Sequence, residues 1–572
     1  MNIPRPEHPN PQFERASWLN LNGEWDFEFD FGNSKKDAGI INKKDWDNKI
    51  IVPFCPESKL SGIEYTDFIP AVWYKKIINI TAEQLDGKVI LHFGAVDYEA
   101  TVYINGKQAG YHKGGYASFE FDITDYLCEG ENTVIVNAID DVRNPLVPRG
   151  KQSEQLKSHG CDYTRTTGIW QTVWLEFVPV SHIKNIKLFP DYLNGIISIS
   201  AVVEGEGTLK AEAFYEGKPM GSFEKVAANT VTGEIRLAET HLWEVGNGRL
   251  YDLKLTFNDD EVNSYFGLRN IRLDDYKFLI NGKSVFQRLV LDQGFYPDGI
   301  YTAPTDADLE KDILISLAVG FNGARLHQKV FEKRFIYHCD RLGYIVWGEY
   351  GNWGLDWSDP FALEAMLPEW CECVERDFNH PSIIGWCPFN ETWDKNGRKQ
   401  YDGILSTIYR VTKHMDETRP CIDTSGNFHV ETDIYDVHDY EQDYHIFKHN
   451  YDKLMTEGIL FEKFPNRQMY SGKGCAWVSE YGGLQWAQGN RADAWGYGNA
   501  PKTEEEFFER YAGLTDALLD NYRMFGFCYT QLYDIEQELN GLYTYGREKK
   551  FDDGIYDKII AVNTKQAAIE EE

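Results

Sequence analysis

YIVWGEY (residues 344–350) and SIIGWCPFN (residues 382–390) decide how this chain folds. Each is a short apolar run, suited to a buried strand, that closes on polar side chains. Six further stretches share that texture: RLVLDQ (288–293), FNGARL (321–326), CIDTSG (421–426), IYDVHDY (434–440), CAWVSEY (475–481) and MFGFCYTQL (524–532). Helical patterns lie between and around them. In DADLEKDILISLAVG (306–320), Leu309, Ile313 and Leu317 share one face and Gly320 marks the C-terminal end. In TEEEFFERYAGLTDALLDNYR (503–523), Thr503 and Glu506 form a capping-box pattern, followed by an apolar stripe of Phe507, Tyr511, Leu514, Leu518 and Tyr522. Eight strand candidates alternating with helices predict a (β/α)8 TIM barrel over residues 273–572.

The preceding residues have another texture. GEWDFEF (23–29), KVILHFGAVDYEATVYINGKQAG (88–110) and NTVIVNAID (132–140) read as strands, with Asn105-Gly106 as a hairpin turn. Residues 1–178 are therefore expected to form a β-sandwich of the jelly-roll, sugar-binding type. Residues 179–272 repeat the texture on a smaller scale, which fits a seven-stranded immunoglobulin-like sandwich. The architecture expected is multidomain: sandwich, immunoglobulin-like sandwich, barrel.

Composition narrows the partners. The 572 residues carry a formal charge of −32, which argues against nucleic acid and against an anionic membrane surface. No segment approaches the apolar length of a signal peptide or a membrane span. The ten cysteines lack paired metal-ligand spacing, so free thiols in a reducing cytoplasm are the simpler reading. Aromatic residues make up 15% of the chain, a composition that suits the flat faces of sugar rings.

In a TIM barrel the functional groups close the strands at their C-terminal ends. Glu391 ends the fourth strand, next to Asn390, and Glu480 ends the seventh. By itself a glutamate at a strand end is more often a salt-bridge partner than a catalyst. Two of them opening on one aromatic-lined cavity are the apparatus for hydrolysing a glycosidic bond. One carboxyl must stay protonated for the leaving oxygen and the other ionised for the anomeric carbon.

GWCPFNET (385–392) and WVSEYGG (477–483), behind two β-sandwiches, resemble glycoside hydrolase family 2, which includes β-galactosidases, β-glucuronidases and β-mannosidases. The resemblance implies that Glu391 is the general acid/base, that Glu480 is the nucleophile, and that Asn390 holds the sugar 2-hydroxyl. It implies a retaining reaction through a covalent glycosyl-enzyme, with no cofactor required, although some members use magnesium. The stretch 151–176 resembles a loop sent to the active site by the first sandwich, which makes Asp162 a sugar-binding candidate. Arg325 resembles the residue that orients the nucleophile. Relatives carry RxSHYP here, whereas RLHQKV places Gln328 at the usual histidine position with His327 beside it. Tyr440 resembles the tyrosine beside the nucleophile, and His438 lies on the same face. Tyr529 stands where many relatives carry Trp. Asp292, closing the first strand, and Trp393 complete the substrate-binding candidates.

Glucuronidases of the family read the substrate carboxylate with an Asn-x-Lys pair; the matching stretch here is Glu538, Leu539 and Asn540. The lysine is missing and Glu538 is expected to repel a uronic acid. The reading is therefore an exo-acting β-glycosidase of glycosides or oligosaccharides, with β-galactosides first. A uronide, mannoside or arabinopyranoside is the alternative within the class, and a noncatalytic carbohydrate-binding protein is the alternative outside it. The family resemblance also implies a homo-oligomer.

Overall fold

The computed structural model describes residues 3–570 except 466, 468–469, 488–490 and 492. Near the N-terminus, a four-stranded sheet (Trp18–Asn20, Lys88–Phe93, Phe119–Asp122, Val173–Val178) faces a six-stranded one running from Asn48–Val52 at one edge to Lys107–Lys113 at the other. Trp25, Val72, Leu91, Val102 and Val136 fill the space between them. Asn105 and Gly106 both adopt positive φ, the geometry of a tight two-residue hairpin.

The second sandwich has five strands rather than seven. Two of them, Ile196–Tyr215 and Lys218–Arg236, are 20 and 19 residues long. Their register shifts between Val202 and Glu206. The first of them pairs with His182–Asp191 on one side of that irregularity and with Tyr251–Phe257 on the other. Counting short apolar runs misses strands that continue through a bulge.

The barrel strands are β1 (Gln287–Asp292), β2 (Gly323–Leu326), β3 (Ile345–Glu349), β4 (Ile383–Cys387, continued by Phe389–Asn390), β5 (Thr424–Ser425), β6 (Tyr435–Asp439), β7 (Ala476–Gly482) and β8 (Gly526–Thr530). Seven form one sheet in the order β4-β3-β2-β1-β8-β7-β6. β5 pairs with the continuation of β4. The ring closes from β5 to β6 through Ser425 Oγ, which donates to Asp436 Oδ2 at 2.5 Å. Trp347 of β3 and Trp477 of β7 stack at 5.7 Å. These strands are not neighbours, so the two rings meet across the barrel interior and plug it beneath a polar layer.

The helix Asp306–Ala318 begins with a full capping box between Thr305 and Asp308. The helix expected over 503–523 spans Glu504–Leu519. Thr503 caps it by accepting from the Glu506 N–H, but the Glu506 carboxylate turns to the Lys502 N–H instead. Tyr522 lies beyond the helix and is half exposed, because Asp520 ends the helix and its φ/ψ repeat no longer carries the stripe.

Candidate active site

Arg325 on β2 organises the polar layer. It is 1% exposed, and its guanidinium donates to Glu349 on β3 (2.6 Å), Asn390 Oδ1 (2.8 Å), the Ser479 carbonyl (2.9 Å) and Glu480 Oε1 (3.1 Å). One rigid planar fork thus ties β2, β3, β4 and β7 together across the barrel mouth. Glu480 also accepts from the Tyr440 hydroxyl at 2.5 Å on its other oxygen. His327 Nε2 lies 3.3 Å from Oε1 and His438 Nδ1 lies 3.4 Å from Oε2. Burial pushes the Glu480 carboxyl up, but His438, His327 and Arg325 together hold it well below the usual carboxylate range. Burial and the Glu480 charge raise the Tyr440 hydroxyl, so it remains a donor.

Glu391 differs from Glu480 in setting. Its backbone sits at φ +46°, a conformation non-glycine residues adopt rarely and one found disproportionately at functional sites. Its N–H donates to the Ser425 carbonyl, which fixes the turn after β4. Its side chain is about one-fifth exposed and meets His438 Nδ1 at 2.7 Å. Oxygens of Glu391 and Glu480 and a nitrogen of His438 all lie within 4.8 Å of one another. Asn390 beside it is held at three points: Oδ1 by Arg325, N–H by Asn352 Oδ1 (2.8 Å), and carbonyl by Trp353 Nε1 (3.0 Å). Because Oδ1 takes the Arg325 proton, the Asn390 amide NH2 turns away from Arg325 and has no partner among the described residues.

The strand β2 extension separates two adjacent residues by role. His327 faces Glu480, while Gln328 (φ +52°) turns back to Asn352 and the Trp353 N–H and donates its own N–H to Glu349. Gln328 therefore braces the loop that carries Trp353. From His327 a buried chain of amides runs outward. His327 Nδ1 meets Gln293 Oε1 (2.8 Å), Gln293 donates to Gln531 (3.0 Å), Gln531 to Asn540 (2.9 Å), and Asn540 to Glu538 Oε1 (2.9 Å). Tyr163, from the first sandwich, donates to the other Glu538 oxygen. An ionised carboxylate only accepts, so Glu538 orients every amide in the chain and leaves His327 to donate from Nδ1.

The loop from the first sandwich reaches the same cavity. Arg149 N–H donates to the Trp353 carbonyl at 2.7 Å, and Gly150 N–H reaches the carbonyls of Gly351 and Trp353. Gly150 adopts φ +57°, and a Cβ there would stand 2.4 Å from the Gln328 carbonyl oxygen; only glycine permits the approach. Asp162 is fixed by Arg149 at 2.6 Å. Next to it, Lys151 is 5% exposed and its ammonium sits 4.1 Å from the centre of the Trp353 ring. A cavity of about 490 Å³ lies alongside, lined by Arg149, Trp353, Trp357, Glu391 and Trp393. Trp393, 44% exposed, packs edge-on against Phe428 at 5.7 Å and forms its outer wall.

Comparison with known proteins agrees with this arrangement. Residues 19–179 match the family model for the sugar binding domain of glycosyl hydrolases family 2, and residues 271–483 match the model for that family's TIM barrel domain. The chain belongs to glycosyl hydrolase family 2. A β-galactosidase of Thermoanaerobacter pseudethanolicus is 27% identical over 372 residues, covering 61% of this chain and 48% of the relative. A putative β-glucuronidase of Formosa agariphila is 27% identical over 408 residues, covering 67% and 47%. The chain spans about half the length of these curated relatives. The β-glucuronidase from Ruminococcus gnavus in complex with D-glucuronic acid shares the fold, with a TM-score of 0.79 at 18% identity over 98% of this chain and 100% of that one.

Within this family 2 site, two sequence expectations are displaced. Asp292 is 1% exposed and committed to the Tyr533 hydroxyl (2.6 Å) and the Gly294 N–H (3.0 Å); burial and the Asp312 charge raise it to about 7. Tyr529 points outward, its ring against Tyr481 and against Tyr511 of the helix Glu504–Leu519, and its hydroxyl is buried near the Leu484 backbone N–H. Strand alternation explains this: Thr530, the next residue, faces the cavity and meets the Tyr440 hydroxyl at 3.1 Å. Glu538 is hydrogen-bonded at both oxygens, by Tyr163 and Asn540, both neutral donors that leave its charge in place. Sequence reasoning also missed Gln293's place in the chain, Glu349, Asn352, Thr530 and Lys151. Of these, Glu349 and Thr530 carried the strand-end signal that exposed Glu391.

Proposed function

We propose that this protein is a retaining exo-β-glycosidase. The observation that supports it is the pairing of Glu480, fully engaged by cations and a phenol, with the more exposed Glu391, their oxygens within 4.8 Å. Retaining enzymes hold their carboxyl groups about 5–5.5 Å apart and inverting ones farther, with room for water. In this reading Glu480 attacks the anomeric carbon while Glu391 protonates the departing oxygen, and Glu391 then takes a proton from the incoming water. The Asn390 NH2, oriented by Arg325, receives the sugar 2-hydroxyl. Asp162 and the Trp353 face border the ring, and Trp393 lines the aglycone side.

The three groups Glu391, His438 and Glu480 are also metal-ligand types, but the Arg325 guanidinium and Tyr440 already occupy Glu480. A cation fits poorly beside them, and the reaction proposed needs none. Within the glycosidase class, the missing Asn-x-Lys lysine supports a neutral sugar, with a β-galactoside first by family frequency. A β-uronide is favoured by one observation, the ammonium of Lys151 over the Trp353 ring.

The test is proton NMR of the first product formed from an aryl β-glycoside. The β-anomer is expected to appear first and then mutarotate; initial α-anomer overturns the retaining reading. Glu391→Gln and Glu480→Gln are each expected to cut turnover by on the order of 10⁴-fold with folding intact. Near-normal turnover in either variant removes the mechanism.

A further inference from the structure

Lys151 is a charged group at the cavity that the reaction just described leaves unused. Its side chain is buried, yet among the described residues its ammonium forms no hydrogen bond and no ion pair. It lies 4.1 Å from the centre of the Trp353 ring, and a ring face satisfies none of its three N–H donors. Its charged neighbours are the carboxylates of Glu538, Asp162 and Glu480, which favour the protonated amine against burial; the nearby Cys161 thiol is pushed up to about 12 by burial and stays neutral. None of these carboxylates lies within ion-pair distance. Asp162 is taken by Arg149, Glu538 by Tyr163 and Asn540, and Glu480 by Arg325 and Tyr440. A lysine buried along its stem, whose carboxylate neighbours are all otherwise engaged, keeps its N–H donors for an anionic acceptor.

The backbone holds that ammonium in place. Gly150 and Arg149 are bonded to the carbonyls of Gly351 and Trp353, and Gly150 is wedged against the Gln328 carbonyl. The loop therefore cannot swing Lys151 away without breaking the brace that also carries Trp353 and Asn390. The amine lies over the Trp353 ring, whose Nε1 donates to the Asn390 carbonyl at 3.0 Å, which sets it one ring away from the residue proposed to receive the sugar 2-hydroxyl. The aglycone cavity has its own cations, Arg143, Arg149 and Lys395, and Lys151 is not among its lining residues.

We propose that Lys151 binds the carboxylate of the terminal sugar, so that the substrate class is β-linked uronides read by a lysine of the first sandwich. The proposal rests on the glycosidase reading above. It departs from the expectation of a neutral sugar drawn from Glu538, whose two oxygens are turned to Tyr163 and Asn540.

The experiment compares kcat/KM on p-nitrophenyl β-D-glucuronide and β-D-galacturonide with the matching glucoside and galactoside, for the wild type, Lys151→Met and Lys151→Arg. The wild type is expected to favour one uronide over its neutral counterpart by on the order of a hundredfold, the worth of one charge-assisted hydrogen bond at a buried site. Lys151→Met is expected to collapse that ratio, and Lys151→Arg to retain part of it. A wild type that prefers the galactoside or glucoside overturns the proposal. So does a Lys151→Met variant that slows uronide and neutral substrates equally, which is the behaviour of mere charge balance. Should Lys151→Met not fold, Lys151→Gln is measured in its place, and the same two results support or overturn the proposal. Thermal shifts separate the carboxylate site from the glycosidase activity beneath it. Stabilisation of the wild type by free D-glucuronate or D-galacturonate but not by D-galactose, lost in the Lys151 variant, supports the carboxylate site even if no glycoside is cleaved. Equal shifts with galactose overturn it.

Discussion

Tyr440→Phe isolates one contact to the proposed nucleophile. The ring stays seated, because it stacks on Tyr497 with centroids 3.4 Å apart and phenylalanine fills the same slot. What is lost is the hydroxyl that donates to Glu480 Oε2 at 2.5 Å, with Thr530 Oγ1 losing a lesser partner. A hydrogen bond to a charged group contributes about 1.5–3 kcal/mol. At about 1.36 kcal/mol per pH unit, that stabilisation of the ionised form is worth about one to two units. Arg325, His327 and His438 remain around Glu480, so the lower figure, about one unit, is expected. The sign follows from the role: Glu480 works as carboxylate, so activity is present above its pKa and lost as pH falls through it. Removing a donor to the ionised form raises that pKa. The acid limb of the kcat/KM–pH profile should therefore move up by about one unit. The basic limb should stay, since Tyr440 does not touch Glu391. An acid limb that coincides with the wild type, or moves down, refutes the assignment of Tyr440 as the donor that keeps Glu480 ionised.

Other perturbations separate brace from chemistry. Tyr529→Phe removes a hydroxyl that is buried on the outer side of the barrel near the Leu484 N–H, so kcat/KM should remain within about twofold and any stability loss should stay near ~1 kcal/mol; a large loss of activity would return Tyr529 to the substrate. Glu538→Leu strands the Tyr163 hydroxyl and the Asn540 amide, each at a cost of about 1–3 kcal/mol, which denaturant melts should report as about 2–5 kcal/mol. Gly150→Ala forces a Cβ to within 2.4 Å of the Gln328 carbonyl at positive φ, and should displace the loop at a cost on the order of 1–3 kcal/mol and weaken substrate binding. Wild-type stability in that variant would mean the loop is not braced as described.

How much of the site was legible depends on where each residue gets its direction. Arg325, Asn390, Glu391 and Glu480 close apolar strands, and the barrel topology alone turns such ends onto one cavity. That much was present in the sequence, as were the hairpin at Asn105-Gly106 and the order of sandwich, sandwich and barrel. The pleat phase of β8 was not: one residue of register decides whether Tyr529 or Thr530 faces the cavity, and an unbroken apolar run carries no period-2 signal to set it. Nor was the state of Glu538. Its charge looked free in the sequence because Tyr163, which satisfies it, lies 375 residues away in another domain. Lys151 is the same case in reverse. As a letter it is an ordinary surface lysine in a polar loop. Only the docking of that loop against the barrel buries its stem under Trp353 and leaves its ammonium without a counter-ion. Sequence periodicity sets which face a residue takes within its own element; desolvation and pairing between elements are decided by the packed fold.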